Sequence, residues 1–128
     1  MSVLQLLTAS YLPSNLPIEG LRQTVRAARV RAESLGLTGG LLFDGEKFVQ
    51  LIAGPERAAR QALAALRADA GHERVRDLHA DHADTAPARR DWRVGYTEPA
   101  ELDAVLAASD QGLALQAFEQ TMRRAELA

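Results

Sequence analysis

A chain of 128 residues, 47% hydrophobic and 25% charged, has enough material for one domain with its own core and too little for two. Its formal net charge of -2 and its few rings, three Phe, two Tyr and one Trp, argue against a nucleic-acid binder built on a basic surface or on stacked bases. No cysteine is present, which excludes disulfides, thiolate nucleophiles and Cys-ligated metals; "MSVLQLLTAS" has no basic leader and is too short to span a bilayer, so a soluble cytoplasmic protein is expected.

The first apolar run, Val3 to Ser10, predicts a strand that ends at the loop signal "YLPSNLP". From Ile18 to Leu35, apolar residues recur at Leu21, Val25, Ala28, Ala32 and Leu35, one stripe of a helix with arginines on the opposite side. Gly36 stops it. "LTGGLLF" and "KFVQLIA" flank Asp44-Gly45, a pair suited to the positive φ angles of a tight reversal, so a β-hairpin follows. Pro55 suits a first helical turn, and Ala59, Leu63, Leu66 and Ala70 continue at helical spacing as a second helix. "ERVRDLHADHAD" alternates weakly, with Val75, Asp77 and His79 against Arg76, Leu78 and Ala80. "TAPARRD" is irregular, and "WRVGY" resumes as a short strand. Beyond about Glu98, Leu102, Val105 and Leu106 mark one helix and Leu115, Phe118, Met122 and Ala125 another, separated by "SDQG".

The order βαββαββ predicts an α+β, ferredoxin-like domain: an antiparallel-type sheet, two helices on one face and the C-terminal helical pair on the other. Residues 1–97 form the core and residues 98–128 a cap belonging to the same domain.

Few residues stand out as chemistry. His79, Asp81 and His82 look like a ligand cluster; on a strand the two histidines face opposite sides, while on a helix i and i+3 could converge, but three or four convergent ligands are not visible, so no metal is expected. No nucleophile elbow, P-loop or dinucleotide glycine pattern occurs. A small hydrolase of this topology, such as an acylphosphatase, would need an arginine in the loop after strand one. "SYLPSNLP" offers Asn15 and no arginine, so the chain is not read as an enzyme. Gln50, inside an otherwise apolar strand, is by itself a cap for a backbone group or a contact to buried water.

The stretch "LGLTGGLLFDGEKFVQLIAGP" closely resembles the central signature of BLUF domains, the flavin-binding sensors of blue light, through Gly36, Thr38, Gly39, Phe48, Gln50, Gly54 and Pro55. The resemblance continues through "RADAGH" and "WRVGY" and covers roughly the first three quarters of the chain. It implies FAD between the two helices above the sheet, with Gln50 bridging the flavin and a first-strand tyrosine. Light would drive electron and proton transfer from that tyrosine, and the Gln amide, a donor and acceptor in one planar group, would then rearrange its hydrogen bonds. The cofactor-lining positions so implied are Thr8, Thr24, Arg31, Ala32, Gln50, Leu66, Asp69, His72 and Trp92.

Several of these depart from the family's pattern. Thr8 occupies the tyrosine position, and its aliphatic hydroxyl cannot supply an electron as a phenol can. Tyr11 falls three residues on, at opposite strand parity. Ala32 replaces the asparagine that holds the flavin ring's carbonyl edge, Arg31 precedes it, Gly71 replaces a basic residue near the diphosphate, and Ala53 stands where an acidic residue is common. Three readings follow. The first is a divergent signalling domain with no ordinary photocycle and weak or absent flavin binding, acting on an unidentified protein partner or as a homo-oligomer. The second is a working photoreceptor in which Trp92 or Tyr96 replaces the phenol and Arg31 the amide. The third is a pocket repurposed for another small molecule, or for an enzymatic task, anchored by Gln50, Arg31 and His72. Neither nucleic acid nor membrane is an expected partner.

Overall fold

The predicted elements occur in order in a computed structural model that describes residues 3–83 and 91–127. They are β1 (Val3–Tyr11), α1 (Ile18–Ser34), β2 (Thr38–Phe43), β3 (Lys47–Gly54), α2 (Glu56–Ala68), β4 (Glu73–Ala83), β5 (Trp92–Tyr96), α3 (Pro99–Ala108), α4 (Ala114–Arg124) and a two-residue β6 (Glu126–Leu127). The sheet runs β4-β1-β3-β2-β5-β6, antiparallel at every pair except β2 and β5, which are parallel. The irregular "TAPARRD" lies outside the described residues apart from Asp91.

Local chemistry accounts for the boundaries. At the end of α1, Gly36 takes φ 68°, Leu37 N–H donates to Ala32 C=O at 2.8 Å and Gly36 N–H to Glu33 C=O at 3.3 Å, a Schellman stop for which glycine has no Cβ penalty. In the β2–β3 reversal only Gly45 adopts positive φ, at 100°. Asp44 contributes its side chain instead, its carboxylate accepting the backbone N–H groups of Glu46 at 2.9 Å and Lys47 at 2.8 Å.

Both faces of the sheet are covered, so the central strands read as continuous apolar runs instead of alternating with polar residues. Leu4, Leu6, Leu41, Phe43, Phe48, Ile52, Trp92 and Val94 pack with Ala28 and Ala32 of α1 and Ala59, Ala62 and Leu66 of α2. Leu7, Ala9, Leu42, Val49 and Leu51 point the other way, onto Leu102 and Val105 of α3 and Ala114, Phe118 and Met122 of α4. The C-terminal pair is therefore an integral layer. Each fully buried Leu or Phe contributes roughly 1.5–3 kcal/mol relative to exposure.

Lys47 ties that layer to the hairpin. Its ammonium lies 2.6 Å from Asp44 Oδ2 and 2.8 Å from Asp103 Oδ1 of α3. Burial works against the Lys47 charge, but the hydrogen bonds to Asp103 and Asp44 outweigh it and hold the pKa above the ordinary lysine value. At the sheet edge, β4 is mostly half-exposed and carries register shifts opposite Leu7/Thr8 and Ala9/Tyr11, which explains its weak alternation.

The candidate functional site

Strand parity sets which side chains enter the space between the sheet and the helices α1 and α2. Leu4 and Leu6 pack toward those helices while Leu7 and Ala9 pack toward the tail, so Thr8 and Ser10 fall on the helix side. Phe48 and Ile52 do the same for Gln50. Thr8 and Gln50 stand opposite each other in the β1–β3 register and are 2% and 3% exposed. Among the described residues, Gln50 Oε1 is buried with no hydrogen-bond partner, and so is Trp92 Nε1, which lies on the same face of the sheet.

The helices and the turn after α2 supply the remaining positions. Thr24, Ala28 and Ala32 form the buried side of α1, and Ala59, Ala62 and Leu66 that of α2. At the turn, Gly71 N–H donates to Asp69 Oδ1 at 2.8 Å, and Arg31 Nη2 lies 3.9 Å from Asp69 Oδ2. His72 packs against the Phe48 ring at 4.9 Å between centroids, and its Nδ1 lies 2.7 Å from Ser10 Oγ. Burial depresses the His72 pKa below the ordinary imidazole value; Asp69 pulls it back up, and Arg31 adds to the depression. The neutral ring is favoured. Gly71 itself abuts α1: a Cβ there would collide with Thr24 Oγ1, and the Thr24 methyl would lie 3.0 Å away.

Ser10 is a site residue that sequence reasoning missed. The available signal was its i+2 relation to Thr8, which puts both hydroxyls on one face of β1. Tyr11 pairs with Lys47, three residues from the Thr8–Gln50 pair, and the Arg74 guanidinium lies 4.0 Å from its ring centroid. Arg74 holds φ 52° to reach that place. Tyr96 is 45% exposed and meets Phe43 edge-on at 6.3 Å. The histidines of β4 diverge: His82 Nε2 lies 2.9 Å from Glu56 Oε1 of α2, and His79 Nε2 lies 3.1 Å from Asp81 Oδ2 without hydrogen-bond geometry.

A family model described as "Sensors of blue-light using FAD", BLUF, matches residues 3–95. The chain belongs to the BLUF family. A curated relative, the blue light- and temperature-regulated antirepressor BluF of Escherichia coli (strain K12), is 32% identical over 90 residues, which are 70% of this chain and 22% of that protein. The chain thus spans under a quarter of that relative's length. Among solved structures, the dark state of BlrB, a BLUF protein, superposes with a TM-score of 0.73 at 28% identity, covering 94% of this chain and 95% of that one. The photo-activated state of BlsA gives a TM-score of 0.77 over 100% of this chain and 99% of its own; at 18% identity this speaks for the fold alone. Among the described residues of this BLUF domain, no helix is long and apolar enough to cross a membrane.

Proposed function

We propose that this BLUF domain works as a signalling module without its family's ordinary photocycle, and that it holds flavin weakly or not at all. One observation carries the reading: the residue facing Gln50 across the β1–β3 register is Thr8, while the chain's two tyrosines lie elsewhere, Tyr11 beneath Arg74 and Tyr96 against Phe43. A phenol in hydrogen-bond reach of the carboxamide is what the photochemistry asks for, and threonine's aliphatic hydroxyl does not supply it.

The donor set also fails to fit FAD. Ala32, 2% exposed on the buried side of α1, offers a methyl group where the ring's carbonyl edge needs an N–H. Arg31 is engaged with Asp69, and Gly71 lies so close to Thr24 that a basic side chain has no room at the diphosphate end. A carbonyl left unpaired in a closed site costs about 1–3 kcal/mol on top of the roughly 1 kcal/mol hydrogen bond it forgoes. Signalling would then pass to a partner protein or to a second copy of this domain.

The purified protein's visible absorption, recorded before and after incubation with FAD and gel filtration, tests this. Colourless protein that retains no flavin is the expected result; a retained flavin whose band shifts red in blue light overturns it. The buried, unpartnered Gln50 Oε1 and Trp92 Nε1 favour one second reading, a small molecule other than flavin that donates to the first and accepts from the second. That reading predicts a rise in Tm with such a ligand and none with FAD.

A further inference from the structure

The outer side of α1 carries a charge pattern that, among the described residues, no ion pair uses. Arg22, Arg26 and Arg29 lie at i, i+4 and i+7, one above another on a side of the helix turned away from Thr24 and Ala28, with Arg22 and Arg26 exposed and Arg29 half-buried. Among the described residues none of the three enters an ion pair; Arg60, Arg67, Arg93 and Arg124 each have a carboxylate within 4 Å, while Arg57 and Arg76, off α1, have none. Like charges at i, i+4 destabilise a helix by a few tenths of a kcal/mol, and Glu19 and Glu33, at helical spacing from Arg22 and Arg29, offset that by a similar amount. Ile18 and Val30, 71% and 57% exposed, flank it and are the two most exposed large apolar side chains of the described surface. Glu19 and Glu33 close the stripe at either end, giving the order minus, plus, plus, plus, minus over about 21 Å of helix at 1.5 Å per residue.

We infer that this face docks an acidic amphipathic helix of a protein partner, one that presents carboxylates at one-turn spacing to Arg22, Arg26 and Arg29 and apolar side chains to Ile18 and Val30. Charge complementarity selects the occupant. A nucleic-acid backbone or an anionic bilayer would also meet the arginines, but Glu19 and Glu33 repel phosphates at both ends, and a phosphodiester strand gives Ile18 and Val30 nothing apolar to cover them. Against a helix of order plus, minus, minus, minus, plus the same glutamates fix the register. This surface lies outside the gap beneath α1 and α2, so the inference stands whether or not flavin binds there.

The test uses the full chain and a labelled synthetic helical peptide with Lys, three Glu and Lys at the matching spacing and Leu on both flanks, read by fluorescence anisotropy. Saturable binding is expected, weakened about tenfold or more by the triple change Arg22→Gln, Arg26→Gln, Arg29→Gln and similarly by Val30→Glu, with unchanged circular dichroism because these side chains point outward. Glu19→Lys with Glu33→Lys should reverse preference, binding a peptide with Glu at its ends better than the original, an exchange that misfolding cannot produce. Absence of saturable binding overturns the inference. So does equal binding of a peptide of the same composition with its charges scattered round the helix, or sedimentation with phosphatidylglycerol vesicles that exceeds peptide binding.

Discussion

Thr8 and Gln50 face each other across neighbouring antiparallel strands, both almost wholly buried, with the carboxamide oxygen of Gln50 unpartnered. An aliphatic alcohol and an amide thus stand opposite each other at this point of the β1–β3 register. Changes at this pair and its surroundings follow from its physics.

Restoring the family's groups should restore binding. Thr8→Tyr with Ala32→Asn returns a phenol beside Gln50 and an amide on the buried side of α1, and FAD affinity, followed by flavin fluorescence quenching, should rise at least about tenfold, the equivalent of about 1.4 kcal/mol. No rise would mean that the approach of Gly71 to Thr24, and not the lost donors, closes the site.

Gln50→Met removes an orphaned acceptor and keeps the side chain's length in an apolar neighbourhood of Phe48 and Ile52. Urea denaturation should show the variant about 1 kcal/mol more stable, since the folded state no longer bears an unpaired carbonyl. A loss of stability instead would point to a bound water or ligand that satisfies Oε1 in solution.

Acid should weaken the fold through His72. Burial depresses the folded-state pKa below the ordinary imidazole value of 6.5, so the unfolded chain binds more protons once pH falls below that value. Stability is thus fully present above the unfolded pKa and declines from about pH 6.5 downward until the folded pKa is reached. In His72→Gln, which can still meet Ser10, chemical denaturation at pH 7 and pH 5.5 should lose most of this difference.

Lys47→Ala should be costly and Asp103→Asn cheap, although both break the same contact. Removing Lys47 leaves Asp44, whose side chain has no exposed surface, without its cation, a change that costs about 3–5 kcal/mol at buried pairs. Asp103 is 64% exposed, and losing a partner in water costs about 1 kcal/mol or less. Thermal unfolding of the two variants separates them.

Much of the fold was legible because its signals are local. The Gly36 stop, the Asp44-Gly45 reversal and the stripes through Ala28, Ala32, Ala59 and Leu66 each depend on residues a few positions apart. β6 was not legible: two residues carry no periodicity, and Glu126 and Leu127 form a strand only because α4 delivers them to the free edge of β5. The weak alternation of β4 had the opposite cause, a register shift at the sheet edge that sequence periodicity cannot register.

By itself the sequence determined the order of elements and their apolar faces, because helix and strand periods and turn chemistry act over short stretches of chain. Only the tertiary structure decided that Ser10 reaches His72 across 62 positions, that Lys47 joins the hairpin to α3, that Gly71 presses on Thr24 and that Gln50 Oε1 is left unpaired. Such contacts bring together residues remote in the chain, and their identities are fixed by how layers pack and not by any spacing a single sequence displays.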